Sequence, residues 1–193
     1  MLLDQPATLQ AKFNEALPLP AFLEASAAAG APVANWAERH AQCALTDTQA
    51  ALVGGFVRKV HVLCLTGSWC GDCALQGAAM QRVAEANPDV IDLRFLLRDE
   101  SQADLAVKCP VNGGLRTPFT WWLAEDFAPV HAFGDRTLSR YRGMARKALG
   151  DDAVAAPPPE NPVLAVRDEV VAMFERVHLL LRLSGRLREK HGD

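Results

Sequence analysis

Residues 60–73 read VHVLCLTGSWCGDC, an apolar run followed by a short turn and two cysteines separated by two residues. The run Val60–Leu65 is rich in β-branched and apolar residues and has no helical period, which is typical of a strand covered on both faces. Residues 74–87 then carry apolar side chains at helical spacing and stop at Asn87-Pro88, so they are predicted to form a helix. Cys70 and Cys73 therefore fall where a strand passes into the first turn of a helix.

The elements that follow predict an α/β protein with a mixed sheet. A second strand is expected at Val90–Leu97, and a helix of this length between two strands forms a right-handed βαβ unit with both strands parallel. Phe119–Leu123 and Pro129–Phe133 are close enough to form an antiparallel hairpin. Thr137–Leu149 is predicted to be a basic amphipathic helix after that hairpin.

Helical segments flank this central region on both sides. Residues 1–55 are Ala-rich and are predicted to form a helical N-terminal extension, interrupted by prolines and glycines and ending in a helix that starts with a capping box. Residues 56–150 carry the strands, and residues 151–162 form a Pro-rich linker. Residues 163–193 are predicted to form one long amphipathic helix. Together these segments make one structural domain, as expected for 193 residues.

Composition excludes several classes of protein. Half of the residues are hydrophobic, and 20 Lys and Arg against 23 Asp and Glu give a net charge of −3, which argues against disorder and against an extended nucleic-acid surface. The first residues lack the basic charge of a signal peptide, and no apolar run approaches the roughly 20 residues that span a bilayer. We therefore expect a cytoplasmic protein without membrane or nucleic-acid partners.

In the cytoplasm a pair of cysteines two residues apart indicates redox chemistry or metal binding rather than a structural disulfide. The start of a helix stabilises an anion, so the pKa of Cys70 should lie below the roughly 8.5 of a free thiol. Cys73 would lie one turn farther in, close enough to form a disulfide with Cys70. Cys70 would attack a substrate disulfide, and Cys73 would then displace the reduced substrate.

Two motifs resemble those of the thioredoxin superfamily. Thr66–Cys73, with Trp69 directly before the first cysteine, resembles the strand-to-helix active-site turn of that family. Arg116-Thr117-Pro118-Phe119, about 45 residues later, resembles its loop ending in a cis-proline. The resemblance covers roughly residues 55–150.

The resemblance implies a thioredoxin-like three-layer α/β/α core. It also implies that Cys70 is the nucleophile and Cys73 the resolving thiol, with Pro118 in the cis form beside them. The backbone of Thr117 would pair with an extended substrate peptide. Trp69 would line the apolar surface around Cys70, with Gly71 as a supporting residue of the turn.

Several residues near the motif keep two interpretations. Asp72 stands where thioredoxins often carry proline, and it is either a local proton acceptor or a first-turn acid that favours the helix dipole. Cys64 stands where they usually bury an aspartate, and we interpret it as a core hydrophobe. Arg116 either adds positive charge near the thiolate or is a solvated loop residue. Cys109 is either a third redox partner or a buried thiol without a role.

Further residues are expected to be structural. We interpret Cys43, His61 and His131 as structural residues. One of Trp121 and Trp122 is expected in the core, because adjacent residues of a strand point to opposite faces. The basic stretches at 136–147 and 182–190 are interpreted as solvated helix faces.

The sequence therefore favours a thiol–disulfide oxidoreductase that reduces protein disulfides and has no bound cofactor and no metal. Its partners would be a disulfide-containing protein or peptide and an electron donor that the sequence does not name. One alternative is a thioredoxin-fold binding module or redox switch with little turnover, and another is a zinc protein, which needs two further ligands. The terminal helices could cap the sheet or form a homodimer, and their amphipathic pattern fits either role.

Overall fold

The run predicted as the first strand lies inside the sheet of the computed structural model, which describes residues 5–193. The strands are β1 (Val60–Thr66), β2 (Ile91–Leu97), β3 (Phe119–Ala124) and β4 (Pro129–Gly134). Their order is β2-β1-β3-β4, with β1 parallel to β2 and the β1–β3 and β3–β4 pairs antiparallel. The predicted parallel βαβ pair and antiparallel hairpin are both confirmed.

Helices precede, connect and follow these strands. The α-helices are α1 (Pro6–Glu15), α2 (Leu19–Ala28), α3 (Trp36–Gln42), α4 (Asp47–Gly54), α5 (Gly71–Ala86), α6 (Ala103–Ala106), α7 (Leu138–Leu149), α8 (Pro162–Arg182) and α9 (Gly185–His191). Short 3-10 turns lie at Glu100–Gln102 and Gly150–Ala153. The capping box is confirmed, since the Thr46 hydroxyl accepts the Gln49 N–H at 3.2 Å and the Gln49 side chain accepts the Thr46 N–H at 3.0 Å. Residues 1–4, the start of the predicted extension, lie outside the described residues.

The C-terminal segment differs from the single helix expected at 163–193. α8 and α9 are separated at Leu183-Ser184, because Ser184 leaves the helical region with φ −67° and ψ 115°. This turn buries the side chain of Leu187 in the apolar core. Burial of this leucine therefore favours a bend over a straight continuation into solvent.

Both faces of the sheet are covered, which gives the three-layer α/β/α architecture. One face packs against α3, α5 and α8 through a cluster that contains Cys64 and Trp122. The other packs against α1 and α6 through a cluster that contains Leu63 and Trp121. Adjacent residues of a strand point to opposite faces. The sequence predicted one of the two tryptophans in the core, and the structure buries both, because α1 covers the second face.

The N-terminal extension contacts both the edge of the sheet and the cysteine turn. Leu17 exchanges two backbone hydrogen bonds with Phe95, at 3.0 and 2.8 Å, on the outer edge of β2. The Ser68 carbonyl accepts hydrogen bonds from the Ala34 N–H and the Trp36 indole, both at 2.8 Å. The residues at the start of α3 therefore hold the turn that carries Cys70. None of the helices in residues 5–193 is both long and apolar enough to cross a membrane.

Candidate functional site

Cys70 and Cys73 lie at the start of α5, at the carboxyl end of β1. Cys70 is the N-cap residue of the helix, and its Sγ accepts the Cys73 backbone N–H at 3.3 Å. The N-cap interaction explains why α5 begins at Gly71 rather than at Ala74, where apolar spacing begins. Cys70 is half-buried and Cys73 is fully buried. The outer thiol can meet another molecule, and the inner thiol lies beneath it.

The pKa values of the two thiols are shifted in opposite directions. A hydrogen bond from the Cys73 thiol lowers the pKa of Cys70 to about 6, and backbone N–H groups of Cys73 and Asp72 act in the same direction, against burial and the negative charge of Asp72. The pKa of Cys73 is raised, first because its proton is shared with Cys70 and second because it is buried. Near neutral pH, Cys70 is therefore the more readily ionised thiol of the pair.

The residues that flank the cysteines leave Cys70 accessible on one side. Trp69 is 46% exposed, and its ring covers Gly67, where an added Cβ would lie 3.0 Å from the ring. A Cβ at Gly71 would meet no atom within 4 Å, so this position is open beside Cys70. An apolar ring and an open backbone position thus border the outer thiol.

The loop before β3 packs against the inner thiol. The Thr117–Pro118 peptide bond is cis, as the resemblance implies, and Pro118 is buried. The side chain of Thr117 acts on Cys73 and opposes the rise in the pKa of that thiol. The structure therefore brings the two sequence motifs together, although about 45 residues separate them in the chain.

Asp72 lies between two arginines that follow β4. Its Oδ2 accepts a hydrogen bond from Arg136 Nε at 2.6 Å, and its Oδ1 accepts one from Arg140 Nε at 2.8 Å. The carboxylate is mostly buried, with 12% of the side chain exposed. Neither interpretation of Asp72 from the sequence anticipated this pairing, which holds the negative charge next to Cys70 between two guanidinium groups.

A second carboxylate extends this network to the cis-proline loop. Asp135 is fully buried and accepts hydrogen bonds from Arg136 Nη1 at 2.9 Å, from Arg116 Nη1 at 3.3 Å and from the Tyr141 hydroxyl. Burial alone would raise the pKa of Asp135, but the hydrogen bonds from Tyr141, backbone N–H groups and Arg116 lower it. The Asp135 backbone carbonyl also accepts from Gln76 of α5 at 2.8 Å. The network therefore connects α5, the loop at Arg116 and the start of α7.

Arg136 and Arg140 are the site residues that sequence reasoning missed. Their assignment to a solvated helix face was wrong, because a carboxylate from another element faces them. Helical spacing could not have revealed the pair, because Arg136 lies before Thr137, the N-cap residue of α7, and only Arg140 lies in the helix. Arg116 joins the same network and is not simply solvated, although 39% of its side chain is exposed.

The remaining cysteines are buried away from solvent. Cys64 belongs to the core, as expected, and burial raises the pKa of this thiol to about 12. Cys43 is also buried, and Cys109 donates to the carbonyls of Leu105 at 3.4 Å and Ala106 at 3.5 Å. Among residues 5–193 no group of three or more His, Cys, Asp or Glu side chains is arranged to hold a metal ion.

Thr66, at the end of β1, is a further polar residue beneath the site. Its hydroxyl is buried and makes no hydrogen bond of ordinary geometry with any of the described residues. The same side chain faces the thiols of Cys64 and Cys73 and lowers the pKa of each. Thr66 thus supplies polarity where Cys64 replaces the buried acid that the resemblance leads one to expect.

The fold and the paired cysteines define a thioredoxin-fold protein. A family model described as thioredoxin matches residues 16–145, and the chain belongs to the thioredoxin superfamily. The match begins in the N-terminal extension, well before β1.

Two solved structures share the architecture. A protein of unknown function from Pseudomonas aeruginosa is 18% identical, with a TM-score of 0.61 over 90% of this chain and 99% of that chain. An HIV epitope scaffold is 17% identical, with a TM-score of 0.61 over 86% of this chain and 97% of that chain. These similarities establish the fold alone. The comparison with curated proteins finds no match.

Proposed function

We propose that this protein is a thiol–disulfide oxidoreductase that reduces disulfides of proteins or peptides in the cytoplasm. The observation that supports this function best is the arrangement of the two thiols. Cys70 is accessible and accepts a backbone hydrogen bond at the start of α5, while Cys73 lies buried beneath it. A low pKa of the outer thiol and a high pKa of the inner thiol suit attack followed by resolution.

The reaction needs no group other than the two thiols. The Cys70 thiolate attacks one sulfur of the substrate disulfide, which forms a mixed disulfide and releases the other substrate sulfur as a thiolate that takes up a proton. Cys73 then loses its proton and attacks Cys70, which releases the second substrate thiol and leaves a Cys70–Cys73 disulfide. Two electrons pass from the protein to the substrate, and an external dithiol restores the reduced pair. We propose no cofactor.

Turnover of a model disulfide with dithiothreitol as the electron donor tests this function. Wild-type protein should accelerate the reduction, and Cys70→Ser should abolish it. Without dithiothreitol, Cys73→Ser should stop at the mixed disulfide, which mass spectrometry detects as an adduct of one substrate half. Cys109→Ala is the matched control and should keep wild-type turnover, because Cys109 lies in the other core cluster. No turnover by the wild type would contradict the function.

The direction of electron flow has its own measurement. Equilibration of the Cys70 and Cys73 pair with glutathione buffers gives its reduction potential, and a reductant needs a potential below that of its substrates. A potential in the range of strong oxidants would contradict the reducing role.

The second candidate function is a binding module or redox switch. The packing of the N-terminal extension on the cysteine turn supports it, because Trp36 and Ala34, which lie outside the predicted core, donate hydrogen bonds to the Ser68 carbonyl. A switch would form the Cys70–Cys73 disulfide without multiple turnover. The turnover assay separates the two functions, and stoichiometric zinc in purified protein would support the zinc alternative instead.

A further inference from the structure

Three partly exposed arginines belong to the hydrogen-bond network that includes Asp72, two residues from Cys70. The arginine cluster consists of Arg116, Arg136 and Arg140, whose side chains are 39%, 23% and 35% exposed. The carboxylates that they contact, Asp72 and Asp135, are 12% and 0% exposed. Three positive charges therefore pair with two negative ones, and the arginines are the part of this network that an approaching molecule can contact.

This surface contrasts with the chain as a whole, whose net charge is −3. The basic character continues along α7, since residues 136–149 include five Arg and Lys and no Asp or Glu. A local charge of opposite sign to the whole protein steers partners toward one face.

Arg116 is the member of the cluster best placed to contact a substrate. It directly precedes Thr117-Pro118, whose backbone is expected to pair with an extended peptide. The Arg116 side chain donates a hydrogen bond from Nη1 to the Asp135 carboxylate at 3.3 Å. A guanidinium has five N–H donors, so donors remain for a carboxylate of the substrate.

We propose that the arginine cluster makes this protein selective for disulfides flanked by acidic residues. This inference rests on the proposed function and specifies its substrate class. An acidic residue beside a disulfide repels the attacking Cys70 thiolate. The same repulsion slows reduction of that disulfide by any thiolate. The cluster offsets that repulsion and attracts the substrate carboxylates.

Matched disulfide peptides test the selectivity. Three peptides of identical length carry Glu, Gln or Lys on both sides of the disulfide. For each peptide, the rate constant for reduction by the protein is divided by the rate constant for reduction of the same peptide by dithiothreitol alone. This ratio removes the intrinsic reactivity of each peptide. The wild type should favour the Glu peptide over the Gln peptide and the Gln peptide over the Lys peptide, and the preference should weaken with added salt.

Variants assign the selectivity to the cluster. Arg116→Gln should lower the Glu-to-Gln preference about threefold, as expected for one charge about 6 Å away in water-like surroundings, and Arg116→Glu should reverse it. Arg146→Gln is the matched control, because Arg146 lies on α7 and pairs with Asp151 rather than with the network. This control should keep the wild-type preference.

A second measurement isolates the first chemical step. The rate at which Cys73→Ser protein forms a mixed disulfide with each peptide should show the same order. Equal normalised rates for all three peptides would overturn the selectivity while leaving the proposed function intact. An unchanged preference in Arg116→Glu would also overturn it. No reaction with any peptide would contradict the proposed function, and the selectivity with it.

Discussion

Replacing Asp72 with asparagine should make Cys70 more acidic. The Asp72 charge raises the pKa of Cys70 and is held by Arg136 and Arg140 at 2.6 and 2.8 Å. Asp72→Asn removes this negative charge and leaves the positive charges of both guanidinium groups uncompensated. Both changes stabilise the Cys70 thiolate, so its pKa should fall further below the ordinary value.

Coulomb's law sets the size of the change. At a separation of about 6 Å, one charge is worth about 0.7 kcal/mol at a dielectric constant of about 80 and about 1.4 kcal/mol at about 40. Since 1.36 kcal/mol corresponds to one pKa unit, the midpoint should move down by about 0.5 to 1 pH unit. Arg140→Gln should move the midpoint upward, because it leaves the Asp72 charge less compensated.

The rate of iodoacetamide alkylation of Cys70 against pH measures the midpoint. The Asp72→Asn curve should be displaced to lower pH and should reach the same plateau at high pH, where the thiol is ionised in both proteins. The double variant Asp72→Asn with Arg140→Gln should be displaced less than Asp72→Asn alone. An unchanged midpoint would confine Asp72 to a structural role, and an upward movement would refute the electrostatic argument.

Three further substitutions test the packing of helices and the proton chemistry beneath the site. Gly77→Ala places a Cβ 2.4 Å from the buried Trp36 ring and should lower the free energy of unfolding by about 1–3 kcal/mol in urea titrations, whereas Gly143→Ala, with no atom within 4 Å, should raise it by about 0.5–1 kcal/mol. Equal effects of the two alanines would contradict the close contact. Thr66→Val should slow decay of the mixed disulfide about 2- to 10-fold, because Cys73 loses a hydroxyl that lowers its pKa. Unaltered decay would exclude Thr66 from the resolving step.

The sequence predicted the parts of the fold that depend on local patterns. An apolar β-branched run marked β1, and Thr46 with Gln49 marked the start of α4, where they make reciprocal hydrogen bonds. These signals are reliable because periodicity and capping involve residues only a few positions apart. The same patterns did not show that α9 turns back at Ser184, since that bend depends on burial of Leu187 against distant side chains.

The chain alone determined where Cys70 and Cys73 lie. An apolar run, a glycine-containing turn and a helical pattern place Cys70 at a helix start whatever packs around it. The local N-cap contact with the Cys73 N–H follows from the same few residues.

Only the tertiary structure decided the surroundings of those cysteines. Asp72 meets Arg136 and Arg140 across 64 and 68 residues, and the Trp36 indole reaches the Ser68 carbonyl across 32. Helical spacing shows that residues share a face, but it does not show which side chain of another element will approach that face. The charge around Cys70 is therefore a property of the assembled elements, because electrostatic energy depends on distance in space and not on separation along the chain.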